Sequence, residues 1–304
     1  MHIASIDIGT NTILLLVADV ERGAIRRVLH DEQVIARLGR GVDSNRRLLP
    51  ETMERAARFL HMYKETAQAL HAEKIIAVGT SAMRDAANGA DFCRYVEEKT
   101  GIRIEILSGD EEARWTYRGG ISDFEGKADR FSVLDIGGGS TEVIVGTESS
   151  ITWKQSFDVG CVRIKERILH ASLPTEEEIA EARRFIAGML EPVRKCDAAS
   201  TLGVAVAGTP TTLAALYQRL PAYDPVHVTG FRLDRAIMNE LYGQLRTMTV
   251  EEIAALPQVS DGRADVLFAG VLILMEYLDI TGLEGVLVSD RGLRYGLIER
   301  EFAS

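Results

Sequence analysis

The chain has 304 residues, 46% of them hydrophobic, with a formal net charge of −10 and three cysteines. That is ample for two domains with real cores or one large one, too apolar for disorder, and too negative for general affinity to nucleic acid or anionic membranes. Cys93, Cys161 and Cys196 are far apart and odd in number, so neither a zinc site nor a disulfide framework is indicated; the most apolar run, Val266 to Met275, is too short for a membrane span. The N-terminal MHIASIDIGTN enters a strand pattern directly, without a basic leader or cleavage site, which predicts a mature cytoplasmic protein.

In chain order the pattern predicts an N-terminal strand pair and a third strand over 25–38. A helix over 49–71 comes next, with Met53, Ala56, Ala57, Leu60 and Tyr63 at helical spacing. Then come a strand (74–78), a helix (85–99), a strand (103–107) and a helix (110–118). The polar, glycine-bearing link at 122–127 predicts a seam, with domains 1–124 and 125–304. The second half repeats the order. Strands are expected at 131–136, 141–147 and 150–157, helices at 161–170 and 175–195, a strand at 202–207 and a helix at 210–219. Later helices, a strand at 285–288 and a last helix from Arg291 complete it; the segment of about 292–304 is expected to pack back on the first domain.

The repeat is visible in the residues. Ser5-Ile6-Asp7-Ile8-Gly9-Thr10-Asn11-Thr12 aligns without gaps on Val133-Leu134-Asp135-Ile136-Gly137-Gly138-Gly139-Ser140, 135 − 7 = 128 residues apart, the length of a domain. Each copy is strand, Asp-Ile-Gly, hydroxyl, strand. LDIGGGSTEVIVG is no P-loop, because no lysine follows Gly139, and no dinucleotide fingerprint or nucleophile elbow, because Glu142 stands where the last glycine should be. It reads as strand, glycine turn, strand, with bare N–H groups suited to phosphate oxygens. Two α/β domains in tandem predict a cleft faced by both turns.

The chemistry comes from the side chains this gathers. Asp7 and Asp135, at strand ends, are oxygen donors suited to Mg²⁺. Ala207-Gly208-Thr209-Pro210-Thr211-Thr212, between a strand and a helix, offers N–H groups to an anion, although a simple capped turn would read the same way. In Ser108-Gly109-Asp110-Glu111-Glu112 the acids suit a helix N-terminus on dipole grounds alone. Neighbours on a helix are about 100° apart, so one acid is free to cap while the other turns inward. Glu112 and Glu142 are candidates for orienting a water and accepting its proton. Glu142 faces either solvent or ligand, and Arg84, after a strand, is the cation placed to meet a phosphate.

At this point the residues resemble a known family, the exopolyphosphatase and guanosine pentaphosphate phosphohydrolase (Ppx/GppA) family. The motifs are IDIGTNTILLLV, VGTSAMRDA, SGDEEARWTYRGG, LDIGGGSTEVIVG, AVAGTPTTLAAL and VSDRGLRYGLI, in family order across nearly the whole chain. The resemblance implies an α/β fold of two ribonuclease H-like (actin-like ATPase) domains flanking an interdomain cleft. It also implies release of terminal orthophosphate from polyphosphate, or of the 5′ γ-phosphate of pppGpp to give ppGpp, with Mg²⁺. Glu112 then resembles the catalytic glutamate and Glu142 its partner in positioning water. Asp135 and Asp7 fall to the metal, and Thr10, Asn11, Thr12, Arg84, Gly137, Gly138, Gly139, Ser140, Gly208 and Thr209 to phosphate. Long members carry further helical domains, whereas this sequence stops at Ser304, which puts processive degradation of very long chains in question. Arg37, Arg40, Arg46 and Arg47, with Arg263, Arg291 and Arg294, form a candidate polyanion rim. Partners are thus polyphosphate or guanosine penta- and tetraphosphate, not nucleic acid or membrane. A homodimer is left open, the 266–277 segment reading equally as core or dimer surface. Two other readings stand beside the hydrolase: an ATP-dependent phosphotransferase, and a non-catalytic sensor of (p)ppGpp or polyphosphate.

Overall fold

The structure, a computed structural model, describes residues 1–303. The chain divides into two compact units: Met1–Gly119 together with Leu293–Ser304, and Gly120–Gly292. The last helix therefore belongs to the first unit. The division lies at two adjacent glycines, just before the polar 122–127 segment.

In the first unit β1 (His2–Ile8), β2 (Thr12–Glu21), β3 (Ala24–Ile35), β4 (Lys74–Gly79) and β5 (Ile104–Ile106) form one sheet in the order β3-β2-β1-β4-β5. β2 runs antiparallel to both of its neighbours, β1 and β3, and β1, β4 and β5 run parallel. Both faces are covered, so alternate residues of one strand enter two different cores. Ala4, Ile6 and Ile8 pack in the core with Leu60 of the helix Pro50–Ala69 and Phe92 of the helix Gly89–Thr100. Ile3, with Leu16, Ala18 and Val20 of β2, packs in a second core with Trp115 of the helix Gly109–Ile121 and with Leu293, Tyr295, Leu297 and Ile298 of the helix Leu293–Arg300.

One helix expected over 85–99 is two, Ser81–Asp85 and Gly89–Thr100. Between them the Asn88 side chain accepts from the Leu48 N–H and donates to the Leu48 carbonyl, and that exchange holds the chain out of helical geometry. The third strand stops at Ile35, where residues 36–47 leave the sheet as a loop with one short helical turn, Val42–Asn45.

In the second unit β6 (Phe131–Ile136), β7 (Thr141–Gly146), β8 (Ile151–Phe157), β9 (Leu202–Val206), β10 (Arg232–Asp234) and β11 (Gly285–Val288) pair in the order β10-β11-β9-β6-β7-β8. Without β10 this is the first sheet's order again: an antiparallel meander whose first strand sits centrally, with two later strands added in parallel on its other side. The helix Ala264–Thr281 is buried along nearly its whole length, so Val266–Tyr277 is core and not a surface for a second copy. Gly270 within it is needed because a Cβ there would lie 2.3 Å from Thr209 Oγ1. Among the described residues no helix is long and apolar enough to cross a membrane.

Candidate active site

The two Asp-Ile-Gly turns close in the same way. Gly9 N–H donates to the Thr12 carbonyl at 2.9 Å, and Gly137 N–H to the Ser140 carbonyl at 3.0 Å, at the 128-residue offset of the sequence repeat. The first glycine of each is required by that approach. A Cβ on Gly9 would lie 3.0 Å from Thr12 O, and one on Gly137 2.9 Å from Ser140 O. Neither glycine, nor Gly138 or Gly139, has positive φ, so at Gly9 and Gly137 crowding, and not a left-handed backbone, is what requires glycine.

The segment after the third strand of each sheet holds the turn from behind. In the first unit Arg37 N–H donates to Asn11 O and Gly39 N–H to Thr10 O, both at 2.8 Å. In the second, Cys161 N–H donates to Gly137 O at 3.0 Å and Val162 N–H to Gly138 O at 2.9 Å. Gly160 lies so close that its Cβ would meet Gly138 O at 2.4 Å. Among the described residues the N–H groups of Thr10, Asn11, Gly138, Gly139 and Ser140 donate to no protein group, which leaves a cradle of donors at each turn. The Thr141 hydroxyl is used internally, donating to Val159 O at 2.5 Å.

The two adjacent acids at 111 and 112 divide their roles. Ser108 caps the helix Gly109–Ile121: its N–H and hydroxyl donate to Glu111 Oε2 at 3.1 and 2.7 Å, while Glu111 N–H donates to Ser108 Oγ at 3.3 Å, a reciprocal capping box. Glu112, one residue on, turns inward and is only 7% exposed. Arg84 Nη1 donates to Glu112 Oε2 at 2.8 Å and to Leu107 O at 3.1 Å. Burial raises the Glu112 carboxyl above the ordinary carboxylate range, against the lowering pull of the Arg84 guanidinium and of a hydrogen bond from Thr80. A buried carboxylate with a raised pKa has the chemical character of a general base.

In the second unit Asp135 and Glu142 are directly opposed across β6 and β7. Glu142 is 1% exposed and so does not face solvent; Ser156 Oγ donates to its Oε1 at 2.5 Å from the neighbouring strand β8. Sequence reasoning missed Ser156, and also Arg163, which is 5% exposed and donates from Nε to Gly139 O at 2.8 Å. The period-2 pattern of β8 offered a signal for Ser156 once its register against β7 was known; Arg163 gave none.

Gly208 opens the helix Gly208–Tyr217, whose first N–H groups have no carbonyl partner within the helix. Ala207 before it takes φ 75° and ψ −174°, a conformation that costs a residue with a Cβ on the order of 1–3 kcal/mol. The Arg263 guanidinium lies over Gly208, where a Cβ would fall 1.4 Å from Nη1. Arg263 is 7% exposed, and burial lowers its pKa, so it is an internal contact of this loop and not part of a rim. Arg291 and Arg294 are also not open cations. Arg291 pairs with Asp123 at 2.9 Å and Arg294 with Asp31 at 2.9 Å.

Residues 16–304 match the model of the Ppx/GppA phosphatase family. The chain belongs to that family. It is 37% identical over 311 residues to Exopolyphosphatase 2 of Mycobacterium tuberculosis, covering 97% of each sequence. Its fold matches the structure of a Ppx/GppA family member from Aquifex aeolicus with a TM-score of 0.83 at 31% identity, over 99% of this chain and 97% of that one. It matches an exopolyphosphatase from Cytophaga hutchinsonii with a TM-score of 0.92 at 26% identity, over 99% and 98%. It is thus a Ppx/GppA phosphatase, a phosphoanhydride hydrolase with an actin-like fold.

Proposed function

We propose that this phosphatase is an exopolyphosphatase that removes the terminal orthophosphate of inorganic polyphosphate, with Glu112 as general base. The buried Glu112–Arg84 pair carries the reading, and the similarity to a mycobacterial exopolyphosphatase supports the substrate. In the reaction, a water oxygen bonds to the terminal phosphorus, the bridging P–O bond breaks, and the chain leaves one phosphate shorter. Glu112 accepts the proton released from that water. Glu142, fixed by the Ser156 hydroxyl, orients it. Arg84 and the N–H groups of Thr10, Asn11, Gly138, Gly139 and Ser140, with those of Gly208 and Thr209 at the second loop, balance charge on the phosphoryl oxygens.

The donor set fits Mg²⁺. Asp7 and Asp135 each carry a half-buried carboxylate near a strand end, followed a few residues on by hydroxyls (Thr10 and Thr12; Ser140), all hard oxygens. One carboxylate per turn suits an ion that takes the rest of its shell from water and phosphate. These two residues would hold it, and when bound it supplies neutralisation of phosphate charge.

Orthophosphate release from polyphosphate and from pppGpp, with Mg²⁺ or with EDTA, tests the reading on wild type and Glu112→Gln. Metal-dependent release from polyphosphate, lost in Glu112→Gln, is expected. Unchanged release by that variant would sink the role of Glu112, and release from pppGpp alone would sink the substrate.

A further inference from the structure

The first unit holds a basic element that the reaction itself does not use. Residues 36–49 contain four arginines and one acid, Asp43. The loop is tied down along its length. Arg37 and Gly39 donate to the Thr10–Asn11 turn, Arg46 N–H donates to Val42 O at 2.8 Å, and Ala87 N–H donates to Arg46 O at 2.8 Å. Asn88 then brackets Leu48 at 2.8 and 3.0 Å. Arg37, Gly41 and Arg46 all take positive φ, at 49°, 71° and 52°, so the loop is bent at three fixed points. A Cβ on Gly39 would lie 2.3 Å from Thr10 Cγ2 and 2.9 Å from the Ala82 Cβ, which packs the loop between the turn and the helix that carries Arg84.

The seven candidate rim arginines now separate. Arg263 is buried on Gly208, Arg291 and Arg294 are held by aspartates, and Arg37 is half-buried. Arg40, Arg46 and Arg47 are exposed, and among the described residues none of them makes an ion pair. A protein with net charge −10 thus carries three open guanidiniums on one constrained loop, hydrogen-bonded to the phosphate turn at one end and to the segment after Arg84 at the other.

We propose that Arg40, Arg46 and Arg47 form an anchoring subsite for phosphates further along an inorganic polyphosphate chain, and that this subsite makes long polyphosphate a better substrate than short polyphosphate or pppGpp. The inference rests on the exopolyphosphatase reading. Guanidiniums bind phosphate oxygens by paired donors, and a constrained backbone lowers the entropy cost of presenting them. An inorganic chain continues past its reacting end with repeated charge, whereas pppGpp beyond its 5′ phosphates presents a nucleoside.

The test is the triple variant Arg40→Gln/Arg46→Gln/Arg47→Gln, with Arg58→Gln, an exposed arginine on the helix Pro50–Ala69, as control. Orthophosphate release is measured from tripolyphosphate, long-chain polyphosphate and pppGpp. Binding of labelled long-chain polyphosphate is measured against salt in a Glu112→Gln background. For the triple variant, KM for the long chain is expected to rise about tenfold and the salt slope of binding to fall by about 2, as two or three phosphate contacts are lost. The kcat on tripolyphosphate and the Arg58→Gln control should not move. Equal losses on tripolyphosphate and the long chain, or no change in long-chain KM and binding, would overturn the anchor. Binding of single-stranded RNA as tight as polyphosphate, through the same arginines, would also overturn it by making the loop a general polynucleotide surface. If the wild type releases orthophosphate from no polyphosphate, the exopolyphosphatase reading fails, and the binding measurement alone decides the subsite.

Discussion

The two Asp-Ile-Gly turns share a backbone geometry and differ in what surrounds them. Both close with the same Gly-to-i+3 hydrogen bond, and both are held from behind by the segment after the third strand. Opposite Asp7, β2 places Leu14; opposite Asp135, the equivalent position is Glu142. The first unit instead takes its buried acid from the helix after β5, as Glu112, and spends the segment after its third strand on an arginine loop. The second unit builds there a helix, Cys161–Arg167, that returns the buried Arg163 to the turn. Where two turns share a geometry, crowding fixes the backbone hydrogen bonds, while the side chains around them differ.

The largest break in this comparison comes from the two acids. Glu112→Gln and Glu142→Gln should each lower orthophosphate release by about 10³, and the double variant should lose little more if the acids serve one step. Release kinetics on the three variants decide this; additive losses would mean that the half-sites act separately. The pH dependence sharpens it. Since burial raises the Glu112 pKa, the group is a base only above that raised value, so the acidic limb of kcat/KM should lie above the ordinary carboxylate range. For stability the sign is opposite. The raised native pKa contributes stability below the unfolded value, and that contribution is lost as pH rises through the native value. Glu112→Gln should therefore equal or exceed the wild type in Tm above that pH, with no advantage in acid.

Next in size is Arg84→Met, which removes the donor held at 2.8 Å from Glu112. Activity should fall about 10²-fold or more. The acidic limb should shift further up, because Arg84 is the main influence lowering that carboxyl. A downward shift in the pH profile would contradict the pairing.

Smaller effects compare the supports behind each turn. Gly160→Ala meets backbone atoms of Gly138 and Gly139 at 2.4 to 2.7 Å, whereas the nearest obstacles to Gly39→Ala are the Thr10 side chain and the Ala82 Cβ. Urea denaturation should show about 1–3 kcal/mol lost in both, with Gly160→Ala the worse, since a backbone cannot step aside. Ala207→Gly should stabilise by about 1 kcal/mol, because it relieves a positive φ. Loss of stability there would mean that the Ala207 methyl packs well enough to outweigh its strain.

Much of this was legible in the sequence. The period-2 runs placed the central strands, and the Asp-Ile-Gly repeat announced both turns, because a repeat reports local geometry that any context reproduces. The division between Glu111 and Glu112 was half legible: helix geometry says that neighbours diverge, and Ser108-x-x-Glu111 is a capping box that names the capping member. The short strand β10 escaped, since three residues carry no period. The break at Ala86–Asn88 depends on a partner forty residues away, and the sorting of the arginines depends on Asp123, Asp31 and Gly208, none of which is near them in sequence. Tertiary partners decide which charges remain available, and spacing alone does not list them.

The helix Leu293–Arg300 adds a consequence in time. It fills the first unit's second core with Leu293, Tyr295, Leu297 and Ile298, and its end is tied by Glu299 to Arg118, Arg300 to Glu105 and Glu301 to Lys74. The ribosome delivers these residues only after the whole second unit has been made. The unit synthesised first is thus the unit completed last, and until then the apolar face of β1 and β2 around Ile3, Leu16 and Val20 waits for its cover, in the interval when a nascent chain most needs a chaperone.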